Sequence, residues 1–181
     1  MSTARLLGGV DFKDAEGAEL KLSTRKGRAL LAVLIIEKDR WHTRDKLAAL
    51  LWRERGQTQA RNSLNQALHD IRKLEAATVI DIVEREPERV LIITDAVASD
   101  LDRFPALLTT NPLNAAELQI DELLHGLELQ EQDYIDWLEA KRTEYRNALA
   151  DALRALASSD AADHAEDAPL QAARKLVAGI G

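Results

Sequence analysis

Between Thr58 and Leu74 the apolar positions Ala60, Leu64, Ala67, Leu68, Ile71 and Leu74 recur at three- and four-residue spacing. That spacing places them on one side of a helix, within about 120° of arc. Two helices are predicted ahead of it. The first follows Ser23 or Thr24, either a good N-cap, and runs through RKGRALLAVLIIEKD with Ala29, Leu30, Val33 and Leu34 on its apolar face. The second, Arg44 to Trp52, is capped by Thr43 and turns Leu47, Leu50 and Leu51 inward. Arg40-Trp41-His42 reads as an extended bridge between them, and Arg53 to Gln57 as a turn containing Gly56.

Alternating segments flank these helices. Arg5 to Phe12 and Glu19 to Leu22, separated by the turn residues Asp14 to Gly17, predict one β-hairpin. Val79 to Glu84 and Arg89 to Thr94, around Arg85 to Glu88, predict another. Hairpin, helix, bridge, helix, turn, helix, hairpin is the order of a winged helix, whose third helix enters the major groove. The small polar residues 95–100 read as a boundary, and beyond them the pattern is helical. Helices are predicted over Leu101–Leu108, Ala115–Leu124, Glu131–Ala157 and Leu170–Ile180, with an acidic loop from Ser158 to Pro169. The last two resemble the start of a helical-repeat array, which normally needs three or more units, so further chain is expected beyond Gly181. The fold class is therefore an α+β winged helix-turn-helix over 1–98, followed by an all-α, TPR-like helical domain over 99–181.

Charge sharpens this division. The 181-residue chain carries a net −7, but residues 1–98 hold 17 Lys and Arg against 15 Asp and Glu, a net of +2, whereas 99–181 hold 7 against 16, a net of −9. Residues 21–73 alone have 13 basic and 5 acidic side chains. A basic binding module joined to an acidic module follows from that asymmetry. Cysteine is absent, which removes disulfides and thiolate metal sites. No signal peptide or membrane-length apolar run occurs, so a cytoplasmic protein without a membrane partner is expected. There is no Walker loop, dinucleotide-binding glycine pattern, nucleophile elbow or HExxH. The histidines at 42, 69, 125 and 164 have no ligand spacing. The expectation is a non-enzyme with no cofactor and no metal.

Candidate chemistry concentrates on the outer face of the Thr58–Leu74 helix. Thr58, Asn62, Asn65, Gln66, His69 and Lys73 lie opposite its apolar stripe, with Arg61 and Arg72 on one flank. Amides can pair bidentately with adenine, and Arg or Lys can take guanine or phosphate. Asn62, Asn65, Gln66 and His69 are base-edge candidates, led by Asn62 and Asn65, and Arg61, Arg72 and Lys73 are phosphate candidates. Thr24, Arg25 and Lys26 crowd positive charge at a helix N-terminus, which opposes the macrodipole and suits a phosphate partner. Arg85 and Arg89 are candidates on the second hairpin, although Glu84, Glu86 and Glu88 surround them. In the second half, Tyr134 and Trp137 read as core.

Leu7 to Gly9, Leu22–Leu34, Thr43–Trp52 and Gln59–Leu74 resemble the OmpR-like DNA-binding part of the Streptomyces antibiotic regulatory protein (SARP) family. Asp100–Leu108, Asp121–Leu127 and Tyr134–Leu156 resemble the bacterial transcriptional activator domain that follows it. The resemblance implies a transcription activator that binds double-stranded promoter DNA, often at direct repeats, and contacts RNA polymerase. It also makes a homodimer or tandem binding an expectation. Arg44, at the corresponding start of the second helix, is a phosphate candidate like Thr24, Arg25 and Lys26 at the first. Trp52 either approaches the DNA backbone or caps the core. The alternative function is a protein-interaction scaffold that does not bind DNA, for which the overall acidity argues.

Overall fold

A computed structural model describes residues 2–38, 40–78, 81–93 and 95–159 of the chain. Three helices form the centre of its first half: α1 (Arg25–Ile36), α2 (Arg44–Trp52) and α3 (Gln57–Thr78). The Thr24 hydroxyl caps α1 by accepting from the Gly27 amide at 3.0 Å. A Cβ at residue 27 would stand 2.8 Å from that hydroxyl, so the cap and the glycine require each other. The Thr43 hydroxyl caps α2 through the Lys46 amide.

Helix α1 is buried all round rather than on one face. Every residue from Ala29 to Ile35 is buried, including Leu31, Ala32 and Ile35, which lie off the predicted stripe. A helix apolar on all sides is one that neighbours enclose. Helix α3 keeps the predicted division: Ala60, Leu64, Ala67, Leu68 and Ile71 are buried and the opposite positions are open.

The strands differ from the predicted hairpins. β1 (Ser2–Arg5) and β2 (Asp11–Lys13) pair antiparallel, with Thr3 opposite Lys13. The expected single strand Arg5–Phe12 is broken by a turn at Gly8 and Gly9, whose φ values of +66° and +127° suit glycine. Of Glu19–Leu22 only a bridge from Lys13 to Glu19 forms. The second hairpin is present in shorter form: β4 (Val83–Arg85) and β5 (Arg89–Ile92) pair antiparallel, and β3 (His42–Thr43) adds to β5, giving the order β3-β5-β4, while Val79, Ile80 and Thr94 of the predicted runs lie outside the described residues.

The expected boundary at residues 95–100 contains a strand. β6 (Val97–Ser99) pairs parallel with β1, so the first sheet runs β2-β1-β6. The Asp100 carboxylate accepts from the Leu6 and Leu7 amides at 2.9–3.1 Å. Small polar residues suggested a linker because composition carries no information about a strand partner more than ninety positions away.

The helical half comprises α4 (Phe104–Thr110), α5 (Pro112–Ala116) and the long α6 (Gln132–Ser159). The predicted helix Ala115–Leu124 is not continuous. It stops at Ala116, Gln119 takes a left-handed φ of 51°, and a 3-10 turn covers Ile120–Glu122. The backbone there serves another partner: Leu124 N–H donates to the Leu6 carbonyl at 2.8 Å, and Leu7 bridges Leu123. One apolar core runs through both halves, from Leu30, Leu34 and Leu64 to Phe104, Leu127, Tyr134 and Leu153. Phe104 meets Tyr145 edge to face at 5.5 Å. The predicted loop from Ser158 to Pro169 lies almost wholly outside the described residues, and the helix Leu170–Ile180 wholly outside. This is a winged helix-turn-helix followed by a helical region.

Candidate nucleic-acid interface

Helix α3 presents its outer face to solvent because its apolar stripe is consumed by α1 and α2. Asn62, Asn65, Gln66 and His69 are all exposed. No hydrogen bond or ion pair among the described residues joins any of them to the helical half. Asn62 and His69 have no hydrogen-bond partner among the described residues, whereas Gln66 donates to Asp70 at 3.0 Å, one turn along the same helix. Ahead of this face stands the β4–β5 hairpin, and a cavity of about 350 Å³ between them is lined by Arg44, Arg61, Leu64, Asn65, Pro87 and Glu88.

The predicted phosphate residues fall into three groups. Arg72 and Lys73 are exposed near the end of α3 and make no ion pair among the described residues. Lys73 lines a cavity of about 410 Å³ shared with Asp14, Glu19 and Asp70.

A second group is spent on acids or carbonyls close by. Arg61 makes a two-pronged bond to Asp45 at 2.6 and 2.9 Å, with Glu88 at 3.8 Å. That guanidinium holds the Asp45 carboxyl below its usual range. Arg89 pairs with Glu86 and stacks over the Trp41 ring at 4.4 Å, and it depresses the Glu86 carboxyl in the same way. Arg44 donates to the Glu86 carbonyl through Nε and Nη2 and to Asn65 Oδ1 through Nη1. Arg85 donates to the buried Glu75 carboxylate and to the Val83 carbonyl, so it anchors the hairpin from within.

The third group meets the helical half. Lys26 pairs with Glu131 and Arg25 donates to the Gly126 carbonyl at 3.2 Å; beside them Arg53, not a predicted phosphate residue, takes both oxygens of Asp133 at 2.7 Å. Thr24 is exposed but occupied by its capping bond. Trp52 is 5% exposed and belongs to the core, with the Lys26 ammonium 5.9 Å from its ring. Thr24, Arg25, Lys26 and Trp52 still line one cavity of about 310 Å³ with Ser63, Gln66 and Asp70 of α3. The α1 N-terminus and the outer face of α3 are therefore neighbours.

Two residues gain importance that the sequence pattern did not give them. Arg55 is exposed, makes no ion pair among the described residues and lines that same cavity. Its signal was the basic pair Arg53 and Arg55 beside Gly56, hidden by the assignment of those residues to a turn. Asp45 neutralises Arg61 from sixteen positions away, and no local pattern marks it.

The acidic hub Glu37 ties the halves together. It is buried at the end of α1, accepts from Trp137 Nε1 at 3.0 Å and lies 3.5 Å from Lys141 on α6. Arg40 and His42 contact the same carboxylate. Burial raises its pKa, but the bonds to Trp137 and Arg40 and the nearby Lys141 charge outweigh that and leave it below the usual carboxylate range.

The chain matches no protein-family model. It is 26% identical over 122 residues to the transcriptional regulatory protein MoaR1 of Mycobacterium tuberculosis and to that of Mycobacterium bovis, covering 65% of this chain and 39% of each relative. Its structure is similar to that of Mycobacterium tuberculosis EmbR solved in complex with a low-affinity phosphopeptide. The TM-score is 0.59 at 20% identity, over 99% of this chain and 64% of the other. The chain thus spans about two fifths of the length of the curated relatives it matches. Among the described residues no helix is long and apolar enough to cross a membrane.

Proposed function

We propose that the chain is a sequence-specific DNA-binding transcriptional regulator of the SARP kind, cytoplasmic and without catalytic activity. Helix α3 lies in the major groove and the β4–β5 hairpin stands beside the DNA backbone. The unit 1–98 binds promoter DNA. The acidic unit 99–181 supplies contacts to RNA polymerase or to a second copy on a direct repeat, which makes the regulator an activator. The observation that carries this reading is the outer face of α3: four polar side chains suited to base edges stand exposed, and the helical half does not cover them. Similarity to MoaR1, a transcriptional regulatory protein, supports it.

Electrostatic capture falls mainly to Arg55, Arg72 and Lys73, three exposed cations on or beside α3 that make no ion pair among the described residues. Arg61 contributes less, because Asp45 already neutralises it. The test is binding to duplex DNA by fluorescence anisotropy across a salt series. Arg72→Gln or Lys73→Gln should each weaken binding to every sequence and reduce the logarithmic salt slope by about 0.9. Asn62→Ala should cost about 1–3 kcal/mol on the preferred sequence and little on others. If neither kind of substitution changes binding, the assigned face does not touch DNA.

A second reading has its own observation. Lys26, Arg53, Arg61 and Arg89 are all paired with carboxylates inside the chain. A scaffold that never meets DNA would keep such pairs. Retention on genomic fragments at moderate salt supports the regulator, and no retention at low or moderate salt supports the scaffold.

A further inference from the structure

Asn65 differs from the other base-edge candidates in that a residue on another element sets its amide. Arg44, the first residue of α2, is half-buried and held at several points. Its backbone N–H donates to the Glu88 carbonyl at 2.9 Å. Its Nε and Nη2 donate to the Glu86 carbonyl at 3.2 and 3.1 Å. Its Nη1 is then aimed at Asn65 Oδ1, 3.0 Å away. A guanidinium has only donors, so the amide atom facing it must be oxygen. The Asn65 nitrogen is thereby turned away from Arg44.

We infer that Arg44 is a positioning residue that fixes Asn65 as an outward hydrogen-bond donor, so that α3 selects an acceptor edge, guanine or thymine, over adenine at the base this side chain meets. The inference rests on the DNA-binding reading above and deepens it. Bidentate recognition of adenine needs the amide oxygen to accept from N6 while the nitrogen donates to N7. Here the oxygen is engaged, and a fixed positive charge stands beside it. That charge opposes an approaching amino group and favours the acceptors O6 and N7 of guanine or O4 of thymine. Asn62, with no partner among the described residues, keeps both halves of its amide available and carries no such bias.

The same clamp gives Arg44 a second consequence. Because its guanidinium joins the hairpin carbonyl of Glu86 to the recognition helix, the hairpin tip and Asn65 move as one unit. Arg44 therefore acts on base choice through Asn65 and contributes little to phosphate capture.

The test uses the full chain and a randomised duplex library, with base preference measured by sequencing the bound fraction. The position at which Asn65→Ala abolishes selection identifies the base that Asn65 meets. There the native chain should prefer guanine or thymine to adenine by about tenfold, and the library separates those two bases directly. Arg44→Gln removes the charge and the fork, and should shift that one position toward adenine while leaving the positions that depend on Asn62 unchanged. Adenine preferred by the native chain at this position overturns the inference, whatever the stability of the Arg44 variant. So does a folded Arg44→Gln protein with unaltered selection, or an Asn65→Ala protein with no altered position. A native chain with no sequence preference at all overturns the DNA reading itself, which separates that failure from this one.

Discussion

Single side chains in this protein hold structure by satisfying backbone groups that would otherwise be stranded. Glu75 is the clearest. It is 4% exposed, its carboxylate accepts from the Ile82 and Val83 amides at 2.9 and 2.8 Å, and it binds Arg85 at 2.6 Å. Three donors at the start of the β4–β5 hairpin converge on one charge at the end of α3. Glu75→Ala should cost about 3 kcal/mol in denaturant unfolding, because it leaves a half-buried guanidinium and two amides without their acceptor. Glu75→Gln, which keeps an acceptor oxygen, should cost less. Equal losses for both variants would mean that packing, not charge, holds the hairpin. The Arg85 role was legible only in part: its position on the hairpin was readable from the alternation, but its inward direction was not.

At the scale of elements, caps and periodicity decide where helices begin and which side they bury. The Thr24 hydroxyl bonds Gly27 N at 3.0 Å, and the first turn of α1 carries no acidic residue to help it. Thr24→Ala should destabilise the protein by about 1 kcal/mol, read from the thermal midpoint. Thr43→Ala should cost less, since its bond to Lys46 is 3.4 Å long and Asp45 already complements the helix dipole. A larger loss at Thr43 would contradict this ranking. The predicted starts of α1 and α2 match the structure because a cap is a local device. The helix predicted over Ala115–Leu124 does not match, because Leu123 and Leu124 spend their backbone groups on Leu6, Leu7 and Arg142. Hydrophobic periodicity does not report a partner that lies more than a hundred residues away.

For the whole molecule, the join between the halves is polar and titratable. His42 is buried beside Glu37, with Nε2 at 3.3 Å from the Glu37 carbonyl and Nδ1 at 3.7 Å from its carboxylate. Burial pushes the imidazole below its ordinary value, against the raising effect of Glu37 and with Arg40 and Lys46 adding to the depression. The unfolded chain binds a proton near pH 6.5 while the folded chain resists it. Stability should therefore fall as pH drops below about 6.5 and stop falling beneath the lowered folded value. The depressed Glu37 acts in a separate, lower window. Its contribution is complete above the ordinary carboxylate value and is lost as pH falls through its folded value. His42→Gln should flatten the decline of the thermal midpoint that sets in below about pH 6.5 and leave the more acid decline in place. Parallel curves for the two proteins would remove His42 from this role.

The sequence by itself determined α1, α2 and α3, the caps of the first two and the side of α3 that faces water, because these follow from local cap residues and from the spacing of apolar residues along a short stretch of chain. It also determined the amide-rich outer face that makes a groove-reading helix the leading candidate. Only the tertiary structure decided which cations remain available. Lys26 meets Glu131 more than a hundred positions on, and Arg53 meets Asp133 eighty positions on. The physical reason is range. A helix is set by neighbours three and four residues apart, whereas an ion pair is set by whatever the completed fold brings within a few ångströms, at any distance along the chain.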